Sequence, residues 1–336
     1  MKPKNALIFA CISILLAMPL VVRTSQFSPR SRTFLFTYQV TLKAVPENAR
    51  RVRIWIPRPV SDAHQTVVLK SVHGPVQLRE TTEKTHGNHM LYGEMLHAPG
   101  AAEFTIEYQV TRREYSRGDF QDLVKADPGR RGPLPVSLRL CLLPNRLVPV
   151  GGRIKHLADE NTRGARGPVE QAHALYDYVF HTVRYDKSGT GWGRGDSLWV
   201  CDSKHGNCTD FHSLFISLVR AEGIPARFEI GFPLPPDSTA GTIPGYHCWA
   251  EFYVDGTGWI PVDISEAWQD PRKHDYFFGS VDANRVQFTM GRDLVLQPRP
   301  DGPPLNYFVY PYVEIDGRPS DGVEKKFAFR DLSASK

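Results

Sequence analysis

Between Asn207 and Pro225 the sequence writes out a helix with both ends marked. Asn207 is a good N-cap, and Asp210, three residues on, brings a carboxylate to the first-turn amides. Phe211, Leu214, Phe215, Leu218 and Val219 then recur at i, i+3, i+4, i+7 and i+8, a single apolar stripe. Arg220 suits the negative C-terminal end, and Gly223 with Pro225 stops the helix. Cys208 therefore takes the first helical position. Three residues before Phe211, it is turned toward the protein rather than toward water.

Two strands are expected downstream. In residues 246–254, Cys248, Ala250, Phe252 and Val254 make one face, and His247, Trp249, Glu251 and Tyr253 the other. In residues 259–264, Ile260, Val262 and Ile264 oppose Trp259, Pro261 and Asp263. Asp255-Gly-Thr-Gly258 joins them as a hairpin. His247 and Asp263 share a face only if that loop has an odd number of residues, because one step of register turns every side chain over. A loop of three or five residues around Gly256 puts Asp263 opposite Trp249 and diagonal to His247, within side-chain reach.

A cysteine at a helix N-terminus is biased toward thiolate by the helix dipole and the free amides. A histidine on a neighbouring strand can take its proton, and an aspartate can orient that histidine and stabilise its charged form. Cys208, His247 and Asp263 stand in the order such a nucleophile, base and orienter require, although sequence gives only their order. The backbone amide of Cys208 is a natural oxyanion donor. Candidates for a second donor or for the cleft wall are Trp199, Trp192 and Tyr185 upstream, and Tyr246 and Trp249, which flank His247. Each aromatic has ordinary packing as the competing explanation.

The rest of the chain frames this region. Residues 33–113 alternate with a period of two and are divided by Gly, Pro, Asn and Asp turns, which predicts an antiparallel β domain of sandwich type with polar outer faces. Residues 114–150 form a Pro-, Gly- and Arg-rich connector. A helix follows over 168–183, with Val169, Ala172, Leu175, Tyr176 and Val179 on one side. Ser188-Gly-Thr-Gly-Trp-Gly-Arg-Gly lacks the Gly-Lys-Ser/Thr ending of a phosphate loop and is expected to be a flexible loop.

Composition removes other classes of function. At 41% hydrophobic and 23% charged, the chain is neither a disordered acidic protein nor a multi-span membrane protein, and five Cys are too few for a disulfide scaffold. The formal charge of +5 owes three units to Lys2, Lys4 and Arg23, and no run of five or more Lys/Arg follows, so no nucleic-acid partner is expected. Residues 1–4 are basic and 6–22 almost wholly apolar, which reads as an export signal or an uncleaved N-terminal anchor over residues 5–22. The expected location is periplasmic or extracellular, with membrane contact only through that segment. If the chain is exported, Cys201 and Cys248 are candidates for a bridge near the cleft, while Cys208 stays free.

At four blocks the sequence becomes recognisable. Gly206-Asn-Cys-Thr-Asp-Phe-His-Ser-Leu-Phe, Gly223-Ile-Pro-Ala-Arg-Phe, Gly245-Tyr-His-Cys-Trp-Ala-Glu-Phe and Gly258-Trp-Ile-Pro-Val-Asp resemble the transglutaminase-like domain of papain-type cysteine enzymes over roughly residues 150–300. The resemblance implies Cys208 as nucleophile, His247 as general base and Asp263 as orienter. It also implies an α+β core in which the Cys helix packs on an antiparallel sheet. Tyr276-Phe-Phe-Gly, Asp282-Ala-Asn-Arg and Gly291-Arg-Asp-Leu are similar to blocks of exported bacterial members. Only 36 residues follow Pro300, unlike the animal crosslinking enzymes with their further β domains, and no acidic loop resembles a calcium site.

The expected organisation is a leader over 1–26, an N-terminal β domain with connector over 30–150, a transglutaminase-like catalytic domain over 151–300 and a C-terminal β extension over 301–336. The expected activity is cysteine-dependent acyl transfer at amide bonds of peptides or proteins, with hydrolysis preferred to crosslinking, no cofactor, and an amine as the alternative acceptor to water. Two other readings compete with it. One is an inactive module binding peptide or wall material on the same fold, against which the intact triad argues. The other is a zinc site drawn from Cys201, His205, Cys208, His212, His247 and Cys248, against which the lack of a Cys-x-x-Cys or His-Glu-x-x-His pair argues.

Overall fold

The computed structural model describes residues 30–332 apart from 44, 98–99 and 128–132. The apolar leader, read as a signal or anchor, lies outside the described residues. Among those described, no helix is long and apolar enough to cross a membrane.

The chain is α+β, and its first half alternates as expected. In the strand Ser31–Leu42, Phe34, Phe36, Tyr38, Val40 and Leu42 are buried while their neighbours are not. Such strands must bury one face, and here two sheets do so. One runs in the order Ala240–Ile243, Val323–Asp331, Ser31–Leu42, Ala102–Arg113, Gln65–His73. The other runs Arg318–Pro319, Tyr312–Ile315, Arg51–Arg58, His89–Leu96, Arg79–Thr82. Every pairing in both is antiparallel. The C-terminal strands Tyr312–Ile315 and Val323–Asp331 are thus internal members of sheets begun by the N-terminal residues.

A third, four-stranded antiparallel sheet follows the order Gly258–Val262, His247–Val254, Ala226–Pro233, Arg285–Met290. The helix Cys208–Ala221 lies on it, with Phe215 and Phe252 rings 6.4 Å apart. The apolar stripe is buried as the spacing predicts, but burial extends round the whole helix from Cys208 to Arg220. The helices Arg153–Asn161, Pro168–Thr182 and Ser197–Ser203 enclose the remaining sides. Its polar residues are satisfied locally: His212 Nδ1 meets the Cys208 carbonyl at 2.8 Å, and Ser213 and Ser217 bond Arg292 and the Pro149 carbonyl. Val169, Ala172, Leu175, Tyr176 and Val179 of Pro168–Thr182 are buried, the side that the spacing selects.

Arg285–Met290 is an edge strand, and the sandwich closes its outer side with side-chain amides. Gln65 exchanges hydrogen bonds with Gln287 (Nε2 to carbonyl 2.9 Å, amide to Oε1 3.0 Å), and Asn88 does the same with Met290 (both 2.8 Å). Behind these bonds a single apolar cluster runs through sandwich and sheet, joined where Phe36 meets Phe232 at 5.2 Å and Phe288 at 5.4 Å.

Candidate active site

The Cys208 helix begins on a complete capping box. The Asn207 side chain accepts from Thr209 N–H at 2.9 Å, and Asp210 accepts the Asn207 amide at 2.9 Å. The amide of Cys208 has no intrahelical acceptor at this position. His247 opens the first strand of its hairpin. That hairpin turns through three residues, since Val254 pairs with Gly258 and Ala250 with Val262. Asp263 follows directly on Val262 and caps the short helix Ile264–Gln269. The odd loop puts Asp263 on the His247 face, and His247 Nε2 lies 2.7 Å from Asp263 Oδ2.

Cys208 is a second hydrogen-bond partner of the imidazole. All three side chains are buried: Cys208 is 2% exposed, His247 5% and Asp263 0%. Burial alone pushes the Cys208 thiol up, but hydrogen bonds from Cys248 and His247 and the imidazole charge outweigh it, leaving the thiol well below its ordinary range. Burial likewise pulls His247 down, and the Asp263 charge overcomes this and holds it well above the usual imidazole value. Burial raises Asp263, yet His247 and Arg285 bring it below the carboxylate range. These directions describe a thiolate and an imidazolium backed by an ionised carboxylate.

Around this core stand Arg285 and Glu266, which sequence did not single out, and His212 and Cys248, which it offered only as zinc ligands or, for Cys248, as half of a bridge. Arg285 Nη1 is 2.8 Å from the same Asp263 oxygen that His247 uses, and Glu266 lies 3.8 Å from His247 Nε2. His212, one turn beyond Cys208, is fully buried. Its Nε2 accepts the Ile264 amide at 3.1 Å and stands 3.7 Å from Asp263 Oδ1. Cys248, on the opposite strand face from His247, is a hydrogen-bond partner of Cys208, with Sγ 3.8 Å from Thr209 Oγ1 and from His212 Nδ1. The bridge between Cys201 and Cys248 is absent, because Cys141, Cys201, Cys208 and Cys248 are all free and Cys248 faces Cys208 instead. Among the described residues no group of three His, Cys, Asp or Glu is arranged to hold an ion.

The aromatic candidates separate in space. Tyr185 pairs with Gly206 in a short parallel bridge, and the Cys208 thiolate is among the charges that raise its phenol, second to burial. The Tyr246 hydroxyl is bound by Thr209 Oγ1 at 2.7 Å and Asn207 Nδ2 at 3.1 Å, so it braces the helix cap. Trp199 packs beside Gly191 and edge-on to His205 at 5.2 Å, and Trp192 is half-buried in the same glycine-rich loop. Trp249 is enclosed with Tyr115 and Val281, with the Arg285 guanidinium 5.0 Å from its ring centre.

The glycine-rich loop, expected to be flexible, is tied down at its second half. Asp210 accepts Gly193 N–H at 2.6 Å and Gly195 N–H at 2.9 Å, while Arg292 donates to the carbonyls of Gly195 (2.9 Å) and Arg194 (2.8 Å). Asn306 Nδ2 adds a bond to the Arg194 carbonyl at 2.8 Å. Asp210 therefore serves both the helix start and the loop, which its position in the cap did not disclose.

Comparison with known proteins agrees with this geometry. Residues 155–264 match the model of the transglutaminase-like superfamily core. An uncharacterized protein of Haemophilus influenzae is 26% identical over 329 residues, covering 87% of this chain and 88% of that protein. YebA of Bacillus subtilis, also uncharacterized, is 25% identical over 133 residues, a local match of 35% of this chain and 18% of that protein. The crystal structure of a candidate cysteine protease from Cytophaga hutchinsonii superposes with a TM-score of 0.63 at 15% identity, covering 92% of this chain and 94% of that one, which shows a shared fold. Over residues 155–264 the chain is thus similar to the core domain of the transglutaminase-like superfamily.

Proposed function

We propose that the protein is an exported cysteine acyl-transfer enzyme that opens amide bonds of peptides or proteins, by hydrolysis in preference to crosslinking. One observation carries the reading: a capped helix presents Cys208 to an imidazole that is itself held by a buried carboxylate. In this mechanism the Cys208 thiolate attacks the amide carbonyl carbon, and the developing oxyanion is received by the Cys208 amide. Tyr185, whose phenol feels the Cys208 charge and which pairs with Gly206, is the candidate second donor. His247 gives its proton to the leaving amine as the C–N bond breaks, leaving a thioester on Cys208. Water, deprotonated by His247, or a second amine then releases the acyl group and restores the thiol. Asp263 keeps His247 Nε2 occupied, so Nδ1 faces the sulfur throughout. The basic, apolar leader supports export.

The test is interception of the acyl-enzyme. Casein peptides incubated with the protein and hydroxylamine are expected to yield hydroxamates and, without hydroxylamine, free acids, both read by mass spectrometry. Cys208→Ala is expected to form neither while unfolding at nearly the wild-type temperature. Products that persist in Cys208→Ala would sink the assignment. Crosslinked or amine-tagged products in place of acids would overturn the preference for hydrolysis.

A further inference from the structure

Arg285 plays no part in the steps above, yet its guanidinium is 3% exposed and bonds the oxygen of Asp263 that also receives His247. One carboxylate oxygen thus serves two cations, at 2.7 Å and 2.8 Å. The other oxygen accepts Ser265 Oγ and the Glu266 amide, both at 3.2 Å. The charged and titratable groups facing this set are His212, 3.7 Å from Asp263, and Glu266, 3.8 Å from His247. Asp282 lies 3.4 Å from Arg285, and Arg112 stands over the same Trp249 ring.

A carboxylate whose only partner is an imidazolium holds that proton hard, because releasing it would leave a buried unpaired charge. A fixed guanidinium, which never deprotonates, removes that cost. We propose that Arg285 is a positioning residue: it keeps Asp263 paired and ionised whether or not His247 carries its proton, and so makes the imidazolium a usable acid toward the leaving amine. Asp282, 29% exposed, draws part of the Arg285 charge away from Asp263 and tempers the effect.

The inference rests on the thiolate–imidazolium reading, and the experiment separates the two. The rate of Cys208 alkylation by iodoacetamide is followed from pH 3 to 11. A first rise marks thiolate formation, and a second, alkaline rise marks loss of the His247 proton and release of a more nucleophilic unpaired thiolate. In Arg285→Gln the alkaline rise is expected to move up by about one pH unit, with Arg285→Lys returning most of the way. In Asp282→Asn, which frees Arg285 to act on Asp263, it is expected to move down. Opposite signs are the signature, since general loosening of the fold would not produce them, and Asp282→Asn carries the test should Arg285→Gln fail to fold. An alkaline rise unmoved in Arg285→Gln, or moved upward in Asp282→Asn, would overturn the proposal. A wild-type profile with one ordinary thiol rise would overturn the ion-pair reading beneath it.

Discussion

His212 shows what a single buried side chain commits the site to. With Nδ1 on the Cys208 carbonyl and Nε2 accepting the Ile264 amide, both nitrogens are used and the ring must be neutral. Burial, ahead of the opposing pull of Asp263, lowers its pKa to about 4. The unfolded chain, near 6.5, therefore takes up this proton first, so His212 costs nothing above that value and destabilises the fold as pH falls from 6.5 toward 4. Between pH 7 and pH 5 the loss is about 2 kcal/mol. In His212→Gln the gap between urea midpoints at the two pH values is expected to shrink accordingly, whatever the substitution costs at pH 7. An unchanged gap would mean that the acid sensitivity resides elsewhere. Sequence placed His212 on the helix face of Cys208 and offered only zinc ligation as its use. The donor it needed, the Ile264 amide, comes from a segment 52 residues away.

At the scale of elements, the parts determined locally were legible and the parts fixed across the chain were not. The Cys208 helix carries its own cap, stripe and stop, and the hairpin register follows from loop parity, so both could be read from the residues. The glycine-rich loop could not, because its anchors Arg292 and Asn306 lie about a hundred residues downstream. Two glycines in that loop make the distinction measurable. Gly189 and Gly195 both have positive φ, +72° and +61°, but a Cβ at Gly189 meets nothing within 4 Å, whereas at Gly195 it would strike Ser213, Arg292 and Thr209. Gly189→Ala is expected to cost only the left-handed strain, about 1 kcal/mol. Gly195→Ala is expected to cost about 3 kcal/mol or more in chemical denaturation, since overpacking adds to that strain. Equal losses would show that the second half of the loop is no better anchored than the first.

At the scale of the molecule, the chain divides by sequence where it is continuous in space. Alternation marked residues 33–113 as a sandwich and the helix–hairpin pattern marked a catalytic region, but no periodicity reveals which distant strand a segment will pair with. Val323–Asp331 lies between Ser31–Leu42 and Ala240–Ile243, so one sheet takes strands from the beginning, middle and end of the chain. Phe327 stands at the join, its ring 4.8 Å from Tyr38 of the sandwich and 4.3 Å from Phe232 of the sheet beneath the candidate site. Chains of this length commonly unfold domain by domain, whereas a shared aromatic core and the Gln65 and Asn88 bonds couple the two parts here. One of the six tryptophans, Trp55, belongs to the sandwich, so tryptophan emission in Trp55→Phe reports the catalytic half alone. Its urea transition is expected to superpose on that of far-UV circular dichroism. Phe327→Ala is expected to shift both curves together by about 3 kcal/mol, as for a large side chain deleted from a packed core. Two separated transitions, or a Phe327→Ala variant in which tryptophan emission keeps its wild-type midpoint, would show that the halves fold independently and that the candidate site stands without the sandwich behind it.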